Sequence, residues 1–166
     1  MVTVISNASP LIGLCKIDCL EILKFLWREI IIPEAVYNEV VVKGSGKIGA
    51  DTIEKACGDW IKIKALANRK EVKLLQAILD RGEAETIVLA GEIGADLVLL
   101  DNKELRLFAR EIDLKILGTI GIVELAWRKG IIDDPMRMLY ELRAKGFWLS
   151  DRLLERVRRN IEKGIE

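Results

Sequence analysis

Short runs of β-branched and aliphatic residues alternate along this chain with longer stretches of helical periodicity. Residues 2–6 read as a first strand ending at Ser6-Asn7. A helix follows at once, with Ser9 as its cap and Pro10 at its first position, and runs to about residue 26. Residues 29–32 form a second strand, and Pro33 opens a helix through "PEAVYNEVVVK". After the loop "GSGKIG" come a helix at about 50–57 and a strand at 60–64. The helical patterns "EVKLLQAILDR" and "GEAETIVLAGEIG" then meet at Gly82. The apolar run 96–100 is the clearest strand, followed by a helix at 103–111, a strand at 114–117 and a helix at 120–129. Strands separated by helix-length segments pair in parallel, so the expected fold is three-layer α/β: a central parallel sheet with helices on both faces. "DDPMRMLYELRAKGF" and "SDRLLERVRRNIEKG" add two helices without strands. The 166 residues are thus expected to form one domain, with a core over about 1–132 and a helical extension over about 133–166.

The chain contains no histidine. That excludes Ser-His-Asp and Cys-His nucleophiles, His-ligated zinc and imidazole acid–base chemistry. A catalyst built from this sequence has to rely on carboxylates, with a hard metal ion. Lys+Arg and Asp+Glu are both 26, so any contact with a polyanion needs a local basic patch. Cys15, Cys19 and Cys57 are odd in number and lack ligand-rich neighbours, which fits core packing better than a disulfide framework or a zinc site. No apolar run reaches membrane-spanning length and no leader pattern is visible, so a cytoplasmic location is expected.

In parallel sheets ligands bind beyond the carboxyl ends of the strands. Asn7 and Asp101 fall there, after the first strand and the clearest one; an Asp in such a place also serves as a cap or turn residue. Glu39 interrupts the apolar face of "AVYNEVVV" and is either partly buried or solvated at the helix rim. Glu83 and Glu85 follow Gly82 in a first helical turn, where the helix dipole alone favours acidic residues. Two apart, they do not share a face, and Glu85 is the one favoured to point into a site.

The segments "ISNASPLIGL", "IIIPEAVYNEV", "RGEAETIVLA", "LVLLDNKELR" and "ILGTIGIVELAWRKGII" together resemble the PIN-domain superfamily. The likeness is to the prokaryotic branch with the motifs S-[D/N]-x-S-P-L-I and G-E-A-E, and covers about residues 2–132. It implies a metal-dependent, single-strand-specific ribonuclease, often the toxin of a toxin–antitoxin pair. By motif, the Mg²⁺ or Mn²⁺ ligands and catalytic residues would be Asn7, Glu39, Glu85 and Asp101, with Glu83 in reserve and Ser9 and Thr119 in support. The likeness also suggests a homodimer and a small antitoxin partner. Asn7 is a departure, because the wider superfamily has Asp there; an amide oxygen can ligate a cation but carries no charge. The alternative is a PIN-like module that binds RNA or a protein without catalysis. A phosphoacceptor receiver domain would need an acidic pair after the first strand, which Ser6-Asn7 does not supply.

For RNA contact, Lys103, Arg106 and Arg110 follow Asp101 on one helix, where they are either phosphate ligands or a solvated face. Arg152, Arg156, Arg159 and Lys163 form a second stripe that, with Glu155 and Glu162 interleaved, is expected to face solvent. Trp127, Phe147 and Trp148 are expected in the core or at an interface.

Overall fold

Parallel strands covered on both faces need side chains that are apolar throughout, and the sheet's inner strands meet that requirement. The computed structural model describes residues 1–164. Strands β1 (Val4–Ser6) and β2 (Ile30–Pro33) are buried along their whole length. With β3 (Ile61–Lys64), β4 (Leu97–Leu99) and β5 (Ile116–Leu117) they form one sheet in the order β3-β2-β1-β4-β5, every pair parallel. The expected α/β architecture is present. Strand order reverses between β1 and β4, which makes the crevice at their carboxyl ends the topological switch point. Register there is Val4↔Leu97, Ile5↔Val98 and Ser6↔Leu99, and the Asn7 N–H extends it by donating to the Leu99 carbonyl at 3.0 Å.

Alternation along the strands divides the core. Val4, Ile30, Ile32 and Leu99 pack with α1 (Ala8–Lys16), α2 (Ile22–Trp27) and α4 (Ala50–Cys57). Ile5, Ile31 and Val98 pack on the opposite face with α6 (Arg81–Ile93), through Ile87 and Val88. A third cluster joins α8 (Thr119–Arg128), α9 (Pro135–Ala144) and α10 (Asp151–Glu162) through Val123, Leu139, Leu142, Leu154 and Val157. Each buried aliphatic side chain of that kind contributes roughly 2 kcal/mol, which holds α9 against α8 and α10 against α9. Among the described residues, no helix is long and apolar enough to cross a membrane.

Several boundaries depart from the sequence expectation. The helical stretch 10–26 is two helices, because Asp18 adopts a left-handed φ of 54° between them. Its first helix begins at Ala8 with Asn7 as N-cap, so Ser9 is not the cap. After Pro33 the chain makes only α3 (Glu34–Tyr37) before widening into a π-helical turn, Asn38–Val42, that carries Glu39. Gly82 does not separate α5 (Arg69–Leu75) from α6; it is the second residue of α6, which Asp80 caps. Helix α7 (Lys103–Glu111) has the expected bounds, set by Asn102, whose side-chain oxygen accepts from the Glu104 and Leu105 N–H groups at 3.0 and 3.3 Å.

Candidate active site

An asparagine at an N-cap ordinarily accepts a hydrogen bond from the N–H of the second or third helical residue. The third residue of α1 is Pro10, which has no N–H. Asn7 makes no cap hydrogen bond, and its Oδ1 is buried without a partner. Leaving such an acceptor unsatisfied costs about 1–3 kcal/mol, so the oxygen is a conspicuous exception in this structure.

That oxygen faces a cradle over Gly82. A Cβ on Gly82 would stand 2.9 Å from Glu39 Oε2, 3.4 Å from Asn7 Oδ1 and 3.5 Å from Asp80 Oδ1. Three side-chain oxygens from three chain segments therefore gather where the glycine leaves space. Much of the Glu39 side chain is exposed, yet its carboxyl end lies against this cradle. Burial of the carboxyl raises its pKa, and repulsion from Asp80 and then Glu83 adds to the rise, with Lys43 opposing. Asp80 and Glu83 form a capping box: Asp80 Oδ1 accepts from the Glu83 N–H at 2.8 Å, and Glu83 Oε2 from the Asp80 N–H at 3.2 Å. Glu83 Oε1 also accepts from Asn102 Nδ2 at 3.1 Å, which ties the start of α6 to the residue after Asp101.

Asp101 lies beyond the end of β4. Its Oδ1 accepts from the Thr119 N–H at 2.7 Å, and its Oδ2 from the hydroxyls of Thr119 and Ser9, both at 2.8 Å. Thr119 is fully buried. A Cβ on Gly118 would displace the Arg106 guanidinium and come within 3.0 Å of Asp101 Oδ1, so a side chain there would press on the held carboxylate. Ser9 and Thr119 thus hold one carboxylate, and Arg106 reaches the same place.

Glu85 is arranged differently. It is 2% exposed, one turn further along α6, with its Oε2 at 3.3 Å from Arg81 Nε. Asn7, Glu39, Asp80 and Glu83 are brought together; Asp101, Ser9 and Thr119 are brought together; the Glu83–Asn102 contact joins the two sets. Glu85, buried on the same helix, has the exposed Arg81 as its ion-pair partner. Among the described residues, no three of His, Cys, Asp and Glu form a ready metal-binding group. Sequence reasoning missed Asp80. The spacing in "DRGE" marks it as a cap, but nothing local ties it to Glu39.

Beside Asp101 opens a groove of about 890 Å³. Lys103 and Arg106 line it, and so do Arg152, Arg156 and Arg159 of α10; Arg110 is not among its lining residues. The α10 stripe is exposed to solvent, as expected, and Arg152, Arg156 and Arg159 of it also line this groove, whereas Lys163 does not. Of the three aromatic residues expected in the core or at an interface, Trp127 and Phe147 are half-buried, Phe147 against Gly13 of α1, whereas Trp148 is outside the core, 71% exposed on the same groove.

A five-stranded parallel sheet in this order, with side-chain oxygens gathered at its switch point, defines a three-layer α/β protein. The chain belongs to the PIN-domain family: the family model described as a PIN domain matches residues 3–163. Members of that family are in general nucleases acting on nucleic acid with divalent metal ions. A comparison with curated proteins finds no match.

Proposed function

We propose that this protein is a metal-dependent endoribonuclease specific for single strands, and that it serves as the toxin of a toxin–antitoxin pair. The observation that carries the reading is the orphaned Asn7 Oδ1, buried at the switch point and facing the same cradle as Glu39. Hard oxygen donors of that kind suit Mg²⁺ or Mn²⁺, which keep several waters and need few protein ligands. The residues that would hold the ion are Asn7, Glu39 and Asp101, with a further carboxylate from Glu83 or Glu85. When bound, the ion supplies charge neutralisation at the phosphodiester and acidifies water.

The remaining work belongs to the chain. Ser9 and Thr119 fix the Asp101 carboxylate so that its orientation is set before substrate arrives. Asp101 Oδ1 has a single hydrogen-bond donor in the structure, so lone-pair capacity remains for a cation. Lys103 and Arg106, which line the groove, would position phosphates without reading sequence; Arg110 lies outside it. A homodimer and an antitoxin partner in the cytoplasm complete the proposal. The second reading, a PIN-like module that binds without cutting, is favoured by the missing charge at Asn7 and by the Arg81 guanidinium on Glu85.

The test is Asp101→Asn. The fold should survive, because the Ser9 and Thr119 hydroxyls can rotate to accept from the new amide while its oxygen still accepts from Thr119 N–H. Mn²⁺-dependent cleavage of single-stranded RNA should fall by on the order of a hundredfold, the usual size for losing one preorganised electrostatic group. Undiminished cleavage by a correctly folded variant would place the activity elsewhere, and absent Mn²⁺ binding by the wild type would favour the second reading.

A further inference from the structure

Six basic side chains line the groove beside Asp101: Lys16, Lys103, Arg106, Arg152, Arg156 and Arg159. None of them makes an ion pair among the described residues. Only Asp101 and Glu124 oppose them in the lining, and Asp101 already accepts three hydrogen bonds. The chain as a whole has equal numbers of basic and acidic residues, so this is a local concentration of charge. Six like charges around one concavity repel one another until a polyanion enters.

The arginines of α10 are held in place. Leu154 and Val157 are buried in the cluster with Leu139 and Leu142 of α9, which turns the face carrying residues 152, 156 and 159 to the groove. These three positions span about 10 Å of helix axis, the length of a short run of nucleotides. Where the groove meets the α9–α10 connection stands Trp148, with the Lys103 ammonium 5.1 Å from its ring centroid. An exposed indole beside cations offers a stacking face that any base can use.

We propose that α10 and Trp148 form the track for a single strand of RNA. Phosphates lie on Arg152, Arg156 and Arg159, one base stacks on Trp148, and the strand passes Arg106 to reach Asp101. The choice of RNA rests on the nuclease reading; the track itself rests on the charge and the exposed ring. Phosphate contacts and stacking make it tolerant of sequence.

Binding of labelled twelve-nucleotide RNA is measured by fluorescence anisotropy in EDTA, across a salt series, with DNA of the same sequence and duplex RNA alongside. Wild type should prefer both single strands to the duplex, and RNA should bind at least as tightly as DNA. The triple variant Arg152→Gln/Arg156→Gln/Arg159→Gln should flatten the slope of log K against log salt by about 2, since each phosphate contact on a single strand contributes about 0.7. The corresponding triple Arg→Lys variant should keep the slope. Trp148→Ala should weaken binding about tenfold and Trp148→Phe should recover most of it. An unchanged slope in the folded triple Gln variant overturns the track. So does stronger binding of duplex, or more effective occupation by a Glu-rich peptide, which would make the groove a protein-docking site; stronger binding of single-stranded DNA overturns the choice of RNA. Because binding is read in EDTA, the two readings fail separately. A protein that never cleaves but shows these slopes keeps the track, whereas an active enzyme whose triple Gln variant cleaves with unchanged KM loses it.

Discussion

Gly82 sits inside a helix, where alanine is the better residue, so its missing side chain has to be explained by space. The space is taken by the Glu39 carboxylate, whose Oε2 would lie 2.9 Å from an added Cβ. Gly82→Ala should therefore leave thermal stability equal or slightly higher, because a glutamate's flexible end can move aside. Mn²⁺ binding, followed by calorimetry, should weaken; unchanged binding would remove the cradle from the site. Asn7→Asp tests the other wall of the cradle. Without metal, the added charge beside Glu39 should lower stability slightly. With metal, if one formal charge is worth about 1.4 kcal/mol, Mn²⁺ affinity should rise roughly tenfold. Equal affinity in the two proteins would mean that Asn7 does not face the ion. Local sequence could show that a glycine and an asparagine were present but not what each was for. Gly82 reads as a helix break because the group it accommodates comes from a different segment, and only Pro10, two residues after the first of α1, hints that the Asn7 oxygen is unused.

Elements whose limits are set by their own side chains were legible, and those shaped by neighbours were not. Helix α7 follows from its Asn102 cap and amphipathic pattern, and α4 from its own periodicity. The π-helical turn at Asn38–Val42 has no local signature, although such turns often mark functional places. At α6 the cap and the site compete. Asp80 stabilises the helix through the capping box and at the same time raises the Glu39 pKa. Asp80→Asn keeps a good cap and removes the charge, whereas Asp80→Ala loses the cap and should cost about 1 kcal/mol in chemical denaturation. Glu39 has a folded pKa above its ordinary value, so its contribution favours the folded state most when protonated and is lost as pH rises through that raised pKa. In Asp80→Asn the Glu39 titration, followed by NMR, should move down toward the ordinary carboxylate range. A titration that stayed in place would show that Asp80 does not act on Glu39.

At the scale of the whole molecule, the three-layer architecture was legible because strand and helix periods alternate so regularly; the crevice was not, since it depends on which strands become neighbours. The cysteines, expected to be packing residues, remain free thiols. Burial pushes Cys15 and Cys57 from 9.0 up to about 11, with smaller additions from Asp18 and Glu54 respectively. Folding favours the protonated thiols, so their contribution is intact below about pH 9 and is lost as pH rises toward 11. Urea denaturation should show stability falling across that window, less steeply in Cys15→Ala/Cys57→Ala; identical profiles would refute the linkage. The pairing of β1 with β4 also sets a timetable during synthesis. Ile5 can meet Ile31 early, but Val4, Ile5 and Ser6 wait for Leu97, Val98 and Leu99. At ordinary elongation rates that delay is on the order of ten seconds. Throughout it the β1 edge is an open template for misplaced strands, and Asn7 and Asp101 have not yet met. A nascent chain stalled before residue 97 therefore carries only one wall of the switch-point crevice: the other does not exist until most of the polypeptide has left the ribosome.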